Sequence, residues 1–173
     1  LQRRIQDIKE FGYTLSTQNK FCESCDKKTT HHQLLYLPRF VGGDRGYEII
    51  SKKPDLVGFS CYMWNIECCY KLAEDLKNIL PNTKILLGGP EIATEYVQNS
   101  HFDKYALDYC VSGEGELTFL ELLKHLENGK PTLTDIDGLS HRYNTKMPFT
   151  VNAKRKPFRS LSEIPSPFTS LIF

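Results

Sequence analysis

No stretch of 18 consecutive apolar residues occurs in the 173-residue chain, so nothing in it reads as a membrane-spanning helix. The first residues, Leu1-Gln2-Arg3-Arg4, lead into no apolar core of the kind a secretory signal carries. An excess of one charge is also lacking. Lys+Arg total 22 and Asp+Glu 21, a net charge of +1, which is not the profile of a domain that wraps nucleic acid. Nucleotide-binding glycine signatures are missing too. Gly88-Gly89-Pro90 has no third glycine in the G-x-G-x-x-G pattern, and no G-K-[ST] follows it. The cysteines, at 22, 25, 61, 68, 69 and 110, are not spaced as a secreted disulfide framework. Reduced thiols and a cytoplasmic location are therefore expected. The start without Met and the abrupt apolar end, Ser170-Leu171-Ile172-Phe173, predict a piece of a longer protein.

What charge there is falls into three zones. Residues 1–54 carry 10 basic and 6 acidic side chains, residues 55–127 carry 5 and 12, and residues 128–173 carry 7 and 3. The acidic middle argues against nucleic acid on the main domain, and the basic flanks read chiefly as solvated surface.

The pattern along the chain is α/β. Residues 1–12 predict a short amphipathic helix with Ile5 and Ile8 on one face, and Gly42-Gly43-Asp44-Arg45-Gly46 a junction. Leu56-Val57-Gly58-Phe59-Ser60 and Lys84-Ile85-Leu86-Leu87-Gly88-Gly89 are continuous apolar runs, as expected of strands buried on both faces. Between them, Ile66, Tyr70, Leu72, Ala73, Leu76, Ile79 and Leu80 recur at helical spacing over 65–80, and Pro81-Asn82 stops the helix. A helix beginning at Pro90, a short strand over Tyr109–Ser112 and a helix over Leu117–Leu126 follow. Strand and helix alternate, which predicts a parallel sheet with crossover helices. Leu139–Tyr143 and Phe149–Asn152 then predict a small hairpin, and Ser162–Phe168 an extended linker. This divides the chain into an atypical segment over 1–46, an α/β domain over 47–138, and a hairpin and linker over 139–173.

Ligands of open parallel sheets bind outside the carboxyl ends of the strands. Three segments would meet there: Ser60-Cys61-Tyr62-Met63-Trp64-Asn65, Gly88-Gly89-Pro90-Glu91 and Gly113-Glu114-Gly115-Glu116. Glycine allows close backbone approach to a ligand, and Tyr62, Met63 and Trp64 suit a large flat one. Glu114 and Glu116 would repel a phosphate, and read better as charge at a helix N-terminus than as an acid/base pair. Tight turns in any such fold also use glycine, so the three turns together, with the aromatic cluster, carry the reading.

The run Pro54–Asn65, then Leu86–Glu91, then Ser112–Glu116 with Phe119 resembles the cobalamin-binding domain of cobalamin-dependent radical SAM proteins. Gly138-Leu139, Arg142-Tyr143 and Leu161–Phe168 resemble the bridge into the radical SAM barrel of that family. The resemblance covers about residues 47–173 and implies a flavodoxin-like (Rossmann-like) fold. It implies a cobalamin held at Ser60, Cys61, Tyr62, Trp64, Gly88, Gly89, Pro90, Gly113, Glu114 and Gly115. Ser60 and Tyr62 would lie near the nucleotide tail, Gly88 and Gly89 along the tail channel, and Gly113 and Glu114 by the tail or the corrin side chains. The family's first strand and helix are not recognised in residues 1–46. Its cobalt-ligating D-x-H-x-x-G is absent, and so is the C-x-x-x-C-x-x-C that holds a [4Fe–4S] cluster. The resemblance thus implies that cluster and S-adenosylmethionine belong to a downstream barrel, a partner in cis, and that this chain positions the corrin for methyl transfer or another radical reaction. His101, His125 and His141 are isolated, and none is expected to ligate cobalt.

Cys22-x-x-Cys25 followed by His31-His32 is half of a tetrahedral zinc site with histidines near enough to complete it. The stretch Phe21–His32 also resembles, over about 20 residues, the start of a zinc-stapled HNH-type nuclease, which would make the chain a nucleic-acid-acting protein. Three readings stay open for it: structural zinc at Cys22, Cys25, His31 and His32, nuclease-like chemistry, or a fortuitous pair. Cys61, Cys68, Cys69 and Cys110 read as small buried hydrophobes.

Overall fold

A computed structural model describes residues 34–37, 49–50 and 52–158. One six-stranded sheet organises them, with strands in sequence order. β1 (Leu34–Leu37), β2 (Leu56–Ser60), β3 (Lys84–Gly88) and β4 (Tyr109–Val111) are parallel, and β5 (Leu139–His141) and β6 (Thr150–Val151) add antiparallel. The helices are α1 (Ile66–Ile79), α2 (Thr94–Gln98) and α3 (Gly115–Asn128). The alternation therefore builds the expected α/β fold with its C-terminal hairpin. The sheet reaches upstream of residue 47: β1 lies in the segment expected to stand apart, and pairs Leu34 with Leu56 through Leu37 with Phe59.

Alternation along the strands supplies two cores. Val57, Phe59, Ile85, Leu87 and Cys110 point to one face, where they pack with Tyr70, Ala73 and Leu76 of α1 and Val97 of α2. Leu56, Leu86, Tyr109 and Val111 point to the other, against Leu122 and Leu123 of α3 and Leu139 of β5. Covering on both faces is why β2 and β3 read as unbroken apolar runs. The buried stripe of α1 is Cys69, Tyr70, Ala73 and Leu76. Ile79, which fits the same spacing, is the last residue of the helix and 53% exposed. α2 starts four residues later than expected from Pro90, at Thr94. α3 ends where Gly129 takes a left-handed φ of 78° and its amide bonds the His125 carbonyl, the usual glycine stop.

Two polar knots fix the end of the sheet away from the strand carboxyl ends. Asp108, buried just before β4, accepts from the Ile85 amide at 2.8 Å. It also pairs with Lys77 at 2.7 Å and Lys84 at 3.1 Å. Arg142 is 3% exposed. Its guanidinium donates to the carbonyls of Leu107, Asp103, Met147 and Tyr105 and lies over the Phe149 ring. The hairpin is thereby tied to the loop that enters β4.

Candidate functional site

The carboxyl ends of β2, β3 and β4 form one rim, and the structure brings all three expected segments to it. After β2 the chain turns sharply. Asn65 sets that turn: its side-chain oxygen accepts from the Tyr62 amide at 2.8 Å, and its Nδ2 donates to the Ser60 carbonyl at 2.9 Å. Asn65 flanks the start of α1 but makes no side-chain cap bond to it. Its amide is spent on the loop. Within the turn Tyr62 and Trp64 stack, ring centroids 4.7 Å apart and planes 10° off parallel. Trp64 is 59% exposed and Met63 76%, so the loop presents a broad apolar surface to whatever lies over the rim.

The second segment closes on the first. The Cys61 amide donates to the Gly88 carbonyl at 2.7 Å, and the Glu91 amide to the Cys61 carbonyl at 3.4 Å. Gly89 has φ +104°, and a Cβ there would sit 2.6 Å from the Cys61 oxygen and 2.8 Å from its nitrogen. The side on which a Cβ of Gly89 would project is filled by the Cys61 peptide. Cys61 itself is fully buried, its thiol in the core with Cys69 and Cys110 and both its backbone groups bonded. Its side chain does not reach the rim. The hydrogen bond to Cys69, and then burial, push the Cys61 thiol upward from its ordinary range, and burial does the same at Cys110. Gly88 meets only Val111 at ordinary contact distance, and Pro90 is exposed.

The third segment is the open one. Gly113 has φ +80°, and a Cβ there would touch nothing within 4 Å. Beside it the Ser112 hydroxyl is buried with no hydrogen-bond partner among the described residues. Gly115 packs closely on the Val111 side chain. Glu114 precedes α3 without capping it. Its carboxylate accepts from the Phe158 amide at 2.9 Å, so it holds the departing chain and does not stand free at the rim.

No cluster of His, Cys, Asp or Glu able to hold a metal occurs among the described residues. His101 packs among Tyr96, Phe102 and Tyr105, His125 bonds the Pro131 carbonyl, and His141 is buried in β5. None of the three lies in the rim segments. Cys22, Cys25, His31 and His32 lie outside the described residues, as do the predicted helix over 1–12 and the Ser162–Phe168 linker. Among the described helices none is long and apolar enough to cross a membrane. Sequence reasoning missed Asn65 and Arg142 as organisers. A polar residue placed between an apolar strand and a helix was the available signal for Asn65, and nothing in the sequence marked Arg142 as buried.

Residues 47–123 match the family model described as B12 binding domain. The chain is 34% identical over 117 residues to the cobalamin-dependent radical SAM methyltransferase TokK of Streptomyces tokunonensis, covering 67% of this chain and 17% of that protein. It is 34% identical over 116 residues to the 2-(S-pantetheinyl)-carbapenam-3-carboxylate methyltransferase of Streptantibioticus cattleyicolor, covering 66% and 16%. An uncharacterized methyltransferase of Pyrococcus horikoshii matches at 35% over 127 residues, 72% of this chain and 27% of that one. The chain thus spans less than a third of the length of each of these relatives. The structure of the cobalamin-dependent S-adenosylmethionine radical enzyme OxsB shares the fold, with a TM-score of 0.52 at 17% identity over 65% of this chain and 16% of that one. By sequence, residues 47–123 of this chain are a B12-binding domain homologous to those of cobalamin-dependent radical SAM methyltransferases.

Proposed function

We propose that this chain holds a cobalamin across the carboxyl ends of β2, β3 and β4 and presents it to a radical SAM barrel in the same polypeptide. The observation that carries the reading is the open shelf at Gly113, next to a buried Ser112 hydroxyl that lacks a partner among the described residues. A ligand laid on that shelf can approach the backbone and satisfy the hydroxyl. The stacked Tyr62 and Trp64 add a flat apolar surface on the same rim, suited to the face of a large macrocycle. The rim fits the cofactor on these three counts.

The residues of the chain divide the work. Gly88, Pro90, Gly113 and Gly115 set the floor, and Ser60 and Tyr62 border it from β2. Trp64 and Met63 shield the ligand from water. Asn65 and Cys61 give the β2 turn its shape without touching the ligand through their side chains, and Gly89 lets the second segment pass close over Cys61. Bound cobalamin would supply a cobalt centre able to carry a methyl group, and the protein contributes position and shielding. We place the [4Fe–4S] cluster and S-adenosylmethionine in the barrel, outside the residues of this chain, since no C-x-x-x-C-x-x-C occurs in it.

The test is a titration of the purified chain with hydroxocobalamin, followed by gel filtration and the visible spectrum. A red chromophore eluting with the protein at about one per chain is the expected result. A folded chain that elutes colourless overturns the proposal.

A further inference from the structure

Residues 152–158 follow β6 and run back along the rim as a strap. Asn152 Nδ2 donates to the carbonyls of Leu133 at 2.6 Å and Ile136 at 2.9 Å. The Gly138 amide donates to the Ala153 carbonyl at 2.7 Å, and the Gly138 carbonyl accepts from the Ser112 amide at 3.0 Å. Arg155 Nε donates to Thr118 Oγ1 at 2.8 Å and to the Asp137 carbonyl at 3.1 Å, and its Nη2 pairs with Glu121. The Thr118 hydroxyl itself donates to the Asp137 carbonyl at 2.7 Å. The Phe158 amide closes the strap on Glu114 at 2.9 Å.

These bonds surround a single turn. Ser112 enters the Gly113–Gly115 turn and is tied to Gly138. Thr118 and Glu121 lie one and two helical turns beyond it on α3 and are tied to Arg155. Glu114, inside the turn, is tied to Phe158. A Cβ added at Gly113 would meet nothing within 4 Å. The open side of Gly113 is thus framed by anchors that the turn shares with the strap. Gly138 shows how tight the junction is: a Cβ there would lie 2.9 Å from Thr118 Oγ1 and 3.3 Å from the Arg155 Cβ.

We propose that Arg155 is a positioning residue, which locks the departing chain onto α3 so that the strap and a ligand on the Gly113 shelf engage together. The inference rests on the cobalamin reading of the rim. If the strap steadies the turn for the ligand, the ligand must steady the strap by the same factor, because linkage is reciprocal. An Arg155 that only stabilised the fold would shift global unfolding and leave this ligand-linked factor unchanged.

Trypsin reads the strap directly, since Lys154 and Arg155 are cleavable positions within it, while Lys156 precedes proline. The full chain and its Glu121→Gln variant are each digested under native conditions, with and without saturating hydroxocobalamin, and each is titrated by visible absorbance. In the unsubstituted chain, cobalamin should slow cleavage after Lys154 and Arg155 by about five-fold or more. Glu121→Gln should speed cleavage without ligand and weaken binding by a matching factor. Arg155→Lys is the second variant, and serves if Glu121→Gln fails to fold. It keeps the charge facing Glu121 and remains a trypsin site, but it has one donor group where Arg155 reaches Thr118, Asp137 and Glu121 together, so it should not rescue. Glu95→Gln, which frees only the exposed Lys154, is the control. Binding with no change in strap cleavage, or variants that bind as tightly as the unsubstituted chain, overturn the coupling alone. A folded chain that binds no cobalamin overturns the cobalamin reading and the coupling with it.

Discussion

Gly89 crosses over the peptide of Cys61 so closely that a side chain at 89 would overlap the Cys61 carbonyl and amide, at 2.6 and 2.8 Å. The contact is between two backbones, so no rotamer change relieves it. Gly89→Ala should therefore destabilise the chain by roughly 2–4 kcal/mol, from the left-handed φ and the overlap together. Urea unfolding without any ligand checks this. A variant as stable as the parent would contradict the close approach of the two backbones.

Asn65 spends both ends of its amide on the β2 turn. Asn65→Ala removes two hydrogen bonds and leaves the Ser60 carbonyl and the Tyr62 amide to find other partners. A loss of about 2–3 kcal/mol is expected. The Tyr62–Trp64 surface should loosen with it, so hydroxocobalamin affinity should fall even at a temperature where the variant is fully folded. Titration of folded Asn65→Ala with undiminished affinity would separate the turn from the site.

His141 is 1% exposed, with both ring nitrogens unpartnered among the described residues. Tyr143 meets its ring edge-on, Tyr109 is opposite it in the sheet, and His125 contributes repulsion from α3. Burial first, and then His125, hold its pKa below the ordinary 6.5. As pH falls through 6.5, the unfolded chain takes up a proton that the folded chain refuses. The stability this residue contributes is thus fully present above that pH and lost below it, by up to about 1.4 kcal/mol per pH unit. Urea unfolding of His141→Phe, compared with the parent between about pH 5 and pH 6.5, should show a flatter dependence. Parallel curves would show that the ring is not kept neutral.

Among the described cysteines, Cys68 is exposed while Cys61, Cys69 and Cys110 are buried. Thiolate is the reactive form, and burial suppresses it. Brief native treatment with iodoacetamide, followed by peptide mapping, should find Cys68 modified and the other three untouched until urea is added. Rapid labelling of Cys110 would contradict its place in the core.

Much of this was legible in the chain itself. Continuous apolar runs announce β2 and β3, because strands covered on both faces need no polar alternation. The three rim segments follow from where such strands end. What the sequence concealed were decisions made by packing. Cys61 sits between two rim residues in sequence, yet it faces inward, because the strand alternation of Val57 and Phe59 continues through it. Glu114 looks like free charge at a helix start until the strap, 44 residues downstream, arrives to occupy it. β1 escaped notice because four residues in an irregular, polar context carry too little pattern to be told from loop.

The hairpin has a consequence that depends only on counting. Four parallel strands all finish at the rim, and β5 departs from it, carrying the chain to the pole where Asp108 and Arg142 sit. A single added strand would have left everything downstream stranded there. β6 makes the journey a round trip, and Asn152 arrives beside Leu139, where β5 began. Parity thus decides the address: an even number of added strands delivers the next part of the polypeptide to the edge that carries the aromatic pair and the open glycine. An odd number would deliver it to the opposite pole, with the sheet between the two.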